Sequence, residues 1–324
     1  YPIGAEYQDG RVQFRVWAPK WTAAEVVILD RANASQELAV VRMTAEEHGF
    51  YAGECDGQPG LVYAFRPHGQ SRWFPDPASH YQPQGPEGPS QVVDPHQFVW
   101  TDGDWHGLEP RGQVIYELHV GTFTTAGTWR AAAAELAELA RIGITALEIM
   151  PIADFAGDFG WGYDGVNLFA PCRLYGTPDD FRAFVNHAHE LGIGVILDVV
   201  YNHFGPVGNY LAQYSDHYFT DRHVTEWGAA INFDDADSAI VRDYFLTNVR
   251  YWIEEFHLDG YRFDATQAIV DCSPRHILAE MSEVASAAAK GRRLHLSVEN
   301  QPQDVINLRA TKSGGFGMDA IWND

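Results

Sequence analysis

From Gln113 onward the sequence alternates short apolar runs with helical stretches, and this alternation limits the chain to very few folds. Val114–Phe123, Thr145–Ile152, Gly194–Val200, Gly260–Asp264, Leu294–Glu299 and Met318–Trp322 read as strands. Gly194–Val200 is almost continuously apolar, as a parallel strand covered on both faces must be. Between the strands, Thr128–Ile142, a stretch from Thr177 to about Gly192, Ser238–His257 and Pro274–Lys290 carry helical spacing. Thr177-Pro178-Asp179-Asp180 is a helix start, with an N-cap threonine, proline in the first turn and acids beside it. Repeated strand–helix units close into a (β/α)8 barrel or spread into a doubly wound sheet. No GxGxxG or GxxxxGK[ST] follows the first strand, so a nucleotide-binding sheet lacks its fingerprint. About six strands are present where a closed TIM barrel has eight, so the expected barrel is incomplete in its C-terminal part.

Residues 1–73 read differently. Arg11–Trp17 alternates so that Val12, Phe14 and Val16 share one face, and Glu25–Leu29, Leu38–Met43, Gly49–Gly53 and Leu61–Arg66 follow at short intervals. That pattern predicts a small all-β sandwich. Residues 74–112 are rich in Pro, Gly and Gln and form an extended linker, its Tyr81, Phe98, Trp100 and Trp105 packed along a surface. Residues 113–324 make the barrel domain.

The barrel reading directs attention to the C-terminal ends of the strands, where such folds assemble their sites. Asp198-Val-Val-Tyr-Asn-His203 puts three polar groups at one strand end. A loop-stabilising network is the alternative, and a metal reading is weaker because only two ligands are on offer. In Gly260-Tyr-Arg262-Phe-Asp264, Arg262 and Asp264 lie two apart and point the same way, either as an ionised nucleophile with its counter-charge or as a structural ion pair. Glu299 ends the next strand, where poor solvation raises a carboxyl pKa and suits it to donating a proton. One ionised and one protonated carboxyl face to face are what glycosidic cleavage requires. Trp161-Gly-Tyr163-Asp164 would expose ring faces above the barrel for sugar stacking, or pack as an ordinary loop. His187 and His189, on one helix, have the wrong spacing for a shared ligand face.

Charge removes other functions. With 22 basic and 44 acidic residues the formal net charge is −22, which disfavours nucleic acid and anionic membrane surfaces. No apolar run approaches the roughly 20 residues of a membrane helix. Three widely spaced cysteines, Cys55, Cys172 and Cys272, form no framework and read as reduced, mostly buried thiols.

These clusters, in this order, resemble the successive signature regions of the α-amylase family of glycoside hydrolases. The N-terminal part is similar to the carbohydrate-module-like domain that precedes such barrels. Within the family, Tyr116-Glu-Leu-His-Val-Gly-Thr-Phe, Trp161-Gly-Tyr-Asp-Gly-Val, Tyr175-Gly-Thr-Pro-Asp-Asp, Tyr201-Asn-His-Phe-Gly-Pro-Val-Gly-Asn-Tyr and Gly260-Tyr-Arg-Phe-Asp-Ala-Thr-Gln-Ala-Ile resemble the branch acting on maltooligosyltrehalose. The resemblance implies that Asp264 is the nucleophile and Glu299 the general acid/base. It also implies that Trp161, Tyr163, Asp198, His203 and Arg262 bind the substrate, an α-glucan, with no cofactor and no metal, in a cytoplasmic enzyme. The two carboxyls are then expected about 5–5.5 Å apart. Branching or debranching of glycogen is the alternative activity. The family's third carboxylate has no counterpart after Glu299, since Asp319 and Asp324 come too early. A chain that ended at Asp324 is accordingly expected to bind glucan without cleaving it.

Overall fold

A computed structural model describes residues 1–322. The chain forms two compact units, Tyr1–Gln97 with Ala153–Arg173 and Gly205–Tyr218, and Phe98–Ile152 with Leu174–Phe204 and Phe219–Asp324.

In the first unit, strands Gly4–Gln8, Arg11–Trp17, Phe50–Asp56 and Thr44–Ala45 make one antiparallel sheet in that order. Glu37–Arg42, Ala24–Leu29, Val62–Pro67 and Ser90–Gln91 make the other. The alternation in Arg11–Trp17 does what its period requires: Val12, Phe14 and Val16 are buried. Phe14 meets Tyr63 and Phe65 of the facing sheet, with ring centroids 5.0 and 6.5 Å away, and these rings form the sandwich core. The proline-rich stretch after this sheet is packed, with Asp76, Ser79, His80, Gln82 and Ser90 buried. Asp76 accepts a hydrogen bond from the Tyr63 hydroxyl at 2.6 Å and from the Ala78 amide at 2.8 Å. Ala153–Asp154 and Asn167–Pro171 pair as a short antiparallel ribbon in the same unit.

The second unit holds six parallel strands: Ile115–Leu118, Ala146–Ile149, Gly194–Val199, Gly260–Phe263, His295–Glu299 and Ala320–Trp322. Each pairs with the next in sequence. A doubly wound sheet reverses its strand order at a switch point, whereas a barrel never does, so the sequential order is that of a barrel. Helices Trp129–Ile142, Pro178–Glu190, Ser238–Glu255 and Ile277–Ala288 connect the strands. Thr128 caps the first of these by accepting the Ala131 amide, and Thr177 with Asp180 forms a full capping box on the second. Trp129 stacks on Phe181 at 4.3 Å and joins the two helices.

Two local expectations change. The predicted strand Val114–Phe123 stops at Leu118, because the His119 carbonyl accepts the Thr122 and Phe123 amides and turns Val120–Phe123 into a helical turn. An antiparallel hairpin, Phe219–Thr225 with Gly228–Ile231, was not expected; its polar sequence carries no strand alternation. Gly260 is the one residue type its position admits. Its φ is +146°, and a Cβ there would lie 1.8 Å from the His295 carbonyl oxygen.

His189 is buried between Asp102 and Asp259, 2.8 Å from each. Burial alone would lower its pKa, but its hydrogen bonds to both carboxylates outweigh this and raise it. Trp105 stacks on its ring at 4.7 Å and donates to Asp259, so Trp105 is fastened to the barrel strand that begins at Gly260. Among the described residues, no helix is long and apolar enough to cross a membrane.

Burial raises the Asp76 carboxyl from an ordinary 3.8 to about 7, against the hydrogen bonds from Tyr63 and Ala78 that favour its charge. A carboxyl that holds its proton more tightly folded than unfolded stabilises the fold in acid, and that stability is lost as the pH rises through about 7. Between about pH 5 and about pH 8 the native protein should lose roughly 2–3 kcal/mol from this group. Asp76→Asn keeps an acceptor for Ala78 and should remove that part of the pH dependence. Denaturant titrations at both pH values, wild type against variant, check it.

Candidate active site

Three parallel strands end side by side, and each delivers a carboxylate. Asp198 lies in strand Gly194–Val199, opposite Arg262 in the register. Asp264 follows strand Gly260–Phe263, and Glu299 closes strand His295–Glu299. Arg262 stands among them. Its Nη1 donates to Asp198 Oδ2 at 2.9 Å and to Asp264 Oδ1 at 2.7 Å, and its Nη2 lies 3.1 Å from Glu299 Oε2. Asp198, Arg262 and Asp264 are buried, while the Glu299 side chain keeps about 20% of its surface.

One guanidinium facing three carboxyls leaves an excess of negative charge in poorly solvated space, and such a site retains a proton. At Glu299 the effect is a raised pKa. Desolvation raises its pKa, and the Asp264 carboxylate, by its charge and by accepting a hydrogen bond, pushes in the same direction. The Ala265 amide at 2.9 Å and the charge of Arg262 oppose the rise without cancelling it.

Asn202 and Ala265 complete the setting, and neither was singled out as a site residue from sequence. Asn202 Nδ2 donates to Asp264 Oδ2 at 2.8 Å and to its carbonyl at 2.9 Å. With Arg262 on one oxygen and Asn202 on the other, the Asp264 carboxylate is held in one orientation. Asn202 was visible beside His203 in the motif. Ala265 carried no such signal: it has φ +40°, a strained left-handed conformation for alanine, and this aims its amide at Glu299. Thr266 donates to the Glu299 carbonyl at 2.8 Å and accepts from Asn300 at 3.1 Å, tying the two loops together.

His203 hydrogen-bonds to Asn202 Oδ1, and its ring stacks on Trp227 at 4.5 Å with the planes 5° apart. Trp227 sits at the turn of the unexpected hairpin and is half exposed. Sequence periodicity could not have linked it to His203. Trp161 and Tyr163 lie in the first unit, on the loop between Ala153–Asp154 and Asn167–Pro171, Trp161 exposed and Tyr163 half-buried. Asp319 is engaged elsewhere, accepting the Leu296 amide at 2.9 Å, and Asp324 lies outside the described residues.

Two measurements follow from this geometry. Replacing Asp264 by Asn removes both the charge and the carboxyl contact that raise Glu299, so the Glu299 pKa should fall toward the ordinary range; carbon-13 NMR titration of the glutamate side chains would show it. Arg262→Met leaves Asp198 and Asp264 buried without their cation and should cost about 3–5 kcal/mol of stability, measurable by denaturant unfolding.

The chain is similar to known proteins along its whole length. Residues 92–230 match the family described as alpha amylase, catalytic domain, and residues 2–93 match carbohydrate-binding module 48, the isoamylase N-terminal domain. A malto-oligosyltrehalose trehalohydrolase of Saccharolobus solfataricus is 41% identical over 99% of this chain and 55% of its own length. One from Deinococcus radiodurans is 40% identical over 94% of this chain and 48% of its own. The crystal structure of an α-amylase candidate from Salmonella typhimurium superposes with a TM-score of 0.90 at 40% identity, covering 99% of this chain and 54% of that one. The chain spans about half the length of the curated relatives it matches.

Proposed function

This chain belongs to the α-amylase family, and from that premise we propose that it hydrolyses the α-1,4 bond joining a maltooligosyl chain to a terminal trehalose, releasing trehalose. The observation that carries the reading is the Asp264–Glu299 pair on neighbouring strand ends under one guanidinium, in a chain 41% and 40% identical to two malto-oligosyltrehalose trehalohydrolases.

Glu299 donates its proton to the glycosidic oxygen as the bond to the anomeric carbon breaks, and the Asp264 carboxylate attacks that carbon to give a covalent glycosyl-enzyme. Glu299, now ionised, takes a proton from water, and the hydroxide equivalent displaces Asp264 with overall retention. Asn202 and Arg262 leave Asp264 little rotational freedom, so the attacking oxygen need not be oriented at the moment of reaction. Asp198, His203 and Arg262 line the subsite of the sugar whose bond is cut, and Trp161 and Tyr163 supply flat surfaces for pyranose faces. The module-48 segment supports an α-glucan as the wider substrate class. We place the protein in the cytoplasm, where its three cysteines remain as the thiols found here. Residues 1–73 are the carbohydrate-module-like β-domain, 74–112 the linker and 113–324 the catalytic barrel.

Incubation with maltotriosyltrehalose should release free trehalose, and Glu299→Gln should lower kcat by at least about 100-fold, the scale of general acid catalysis. The alkaline limb of kcat/KM should lie above the ordinary glutamate range, as the raised Glu299 pKa requires. Transfer to or cleavage of α-1,6 linkages without trehalose release would assign the chain to the branching or debranching enzymes instead.

A further inference from the structure

The hairpin Phe219–Thr225 with Gly228–Ile231 carries a donor cluster for which the proposed hydrolysis has no use. His223 Nε2 lies 3.1 and 3.0 Å from the two carboxylate oxygens of Asp234. The Cys272 amide donates to Asp234 Oδ2 at 2.8 Å, which brings the Cys272 side chain to the same place. One imidazole nitrogen, one carboxylate oxygen and the thiol sulfur all lie within 4.8 Å of one another. The three residues come from a hairpin strand, the turn after the hairpin, and the loop beyond Asp264.

We propose that His223, Asp234 and Cys272 form a binding site for a divalent transition-metal cation, zinc in the first place. A nitrogen, an oxygen and a thiolate sulfur are a donor set that zinc accepts in tetrahedral geometry, whereas magnesium and calcium are bound through oxygen. Two ligands on one tetrahedral zinc stand about 3.3 Å apart, close to the spacing between His223 and Asp234. In the metal-bound form the ion replaces the proton that these two side chains share. Cys272 is exposed, and the thiol proton passes to solvent as the thiolate binds. Water takes the fourth position. The bound ion would fasten the hairpin that carries Trp227, and hence the ring stacked on His203, to the loop that follows Asp264. Sequence reading could not find the site, because its ligands are 11 and 38 residues apart and match no spacing motif.

The test is titration of the reduced protein with zinc in a calorimeter and with cadmium in an ultraviolet spectrometer. One equivalent of zinc should bind, and cadmium should give a thiolate charge-transfer band. Cys272→Ser should abolish that band, which separates this site from Cys55 and Cys172. Both Cys272→Ser and His223→Gln should weaken zinc binding by at least about tenfold, the lower end of what even an outer-shell partner contributes; glutamine retains a hydrogen bond to Asp234 and so supports the hairpin. Magnesium should not compete. No cadmium–thiolate band, a band that survives Cys272→Ser, or zinc affinity unchanged in both variants would overturn the proposal.

Discussion

The guanidinium of Arg262 is the constraint on which the rest of the site depends. It faces carboxylates from its own strand and from both neighbouring strands, so it is at once the counter-charge for buried Asp198 and the clamp on Asp264. Without it, three carboxyls at poorly solvated strand ends would repel one another and draw in water or protons. Because it supplies one positive charge to three acids, it also leaves the site short of compensation. That shortage bears on Glu299. Asp264 is held in one orientation by Arg262 and Asn202, while desolvation and the charge of Asp264 raise the pKa of Glu299.

The fold earns this arrangement through parallel pairing. Six strands in sequential order bring every C-terminal end to one side, and the register sets Asp198 opposite Arg262 and Arg262 opposite Ser297. Gly260 admits the close approach of the His295 carbonyl that starts this pairing. At the same end of the sequence motif that supplies Asp264, strain in Ala265 turns an amide onto Glu299. Backbone that would be poor structure elsewhere is here held in place by the hydrogen bonds of Thr266 and Asn300.

Much of the scaffold was legible in the chain because its signals are local. Strand Arg11–Trp17, helix Trp129–Ile142 with its Thr128 cap, and the capping box at Thr177 follow from alternation and from the demand of unpaired helix amides. The short helix at Val120–Phe123 was not legible, since its apolar run satisfies a strand equally well and only the His119 carbonyl decides the turn. Neither was the hairpin at Phe219–Ile231, whose stability comes from pairing and from what its turn packs against.

The sequence by itself determined which residues stand at strand ends, and so named Asp198, Arg262, Asp264 and Glu299 as neighbours in type if not in distance. A period of two sets which way a side chain points, and an apolar run ending in an acid sets where the acid emerges; both are properties of contiguous residues. Only the tertiary structure decided that one arginine serves all three acids, that Asn202 grips Asp264, that Trp227 lies on His203, and that His223, Asp234 and Cys272 meet. Each of these joins residues far apart in the chain, and distance in space between such residues is set by strand order and register, which no local pattern encodes.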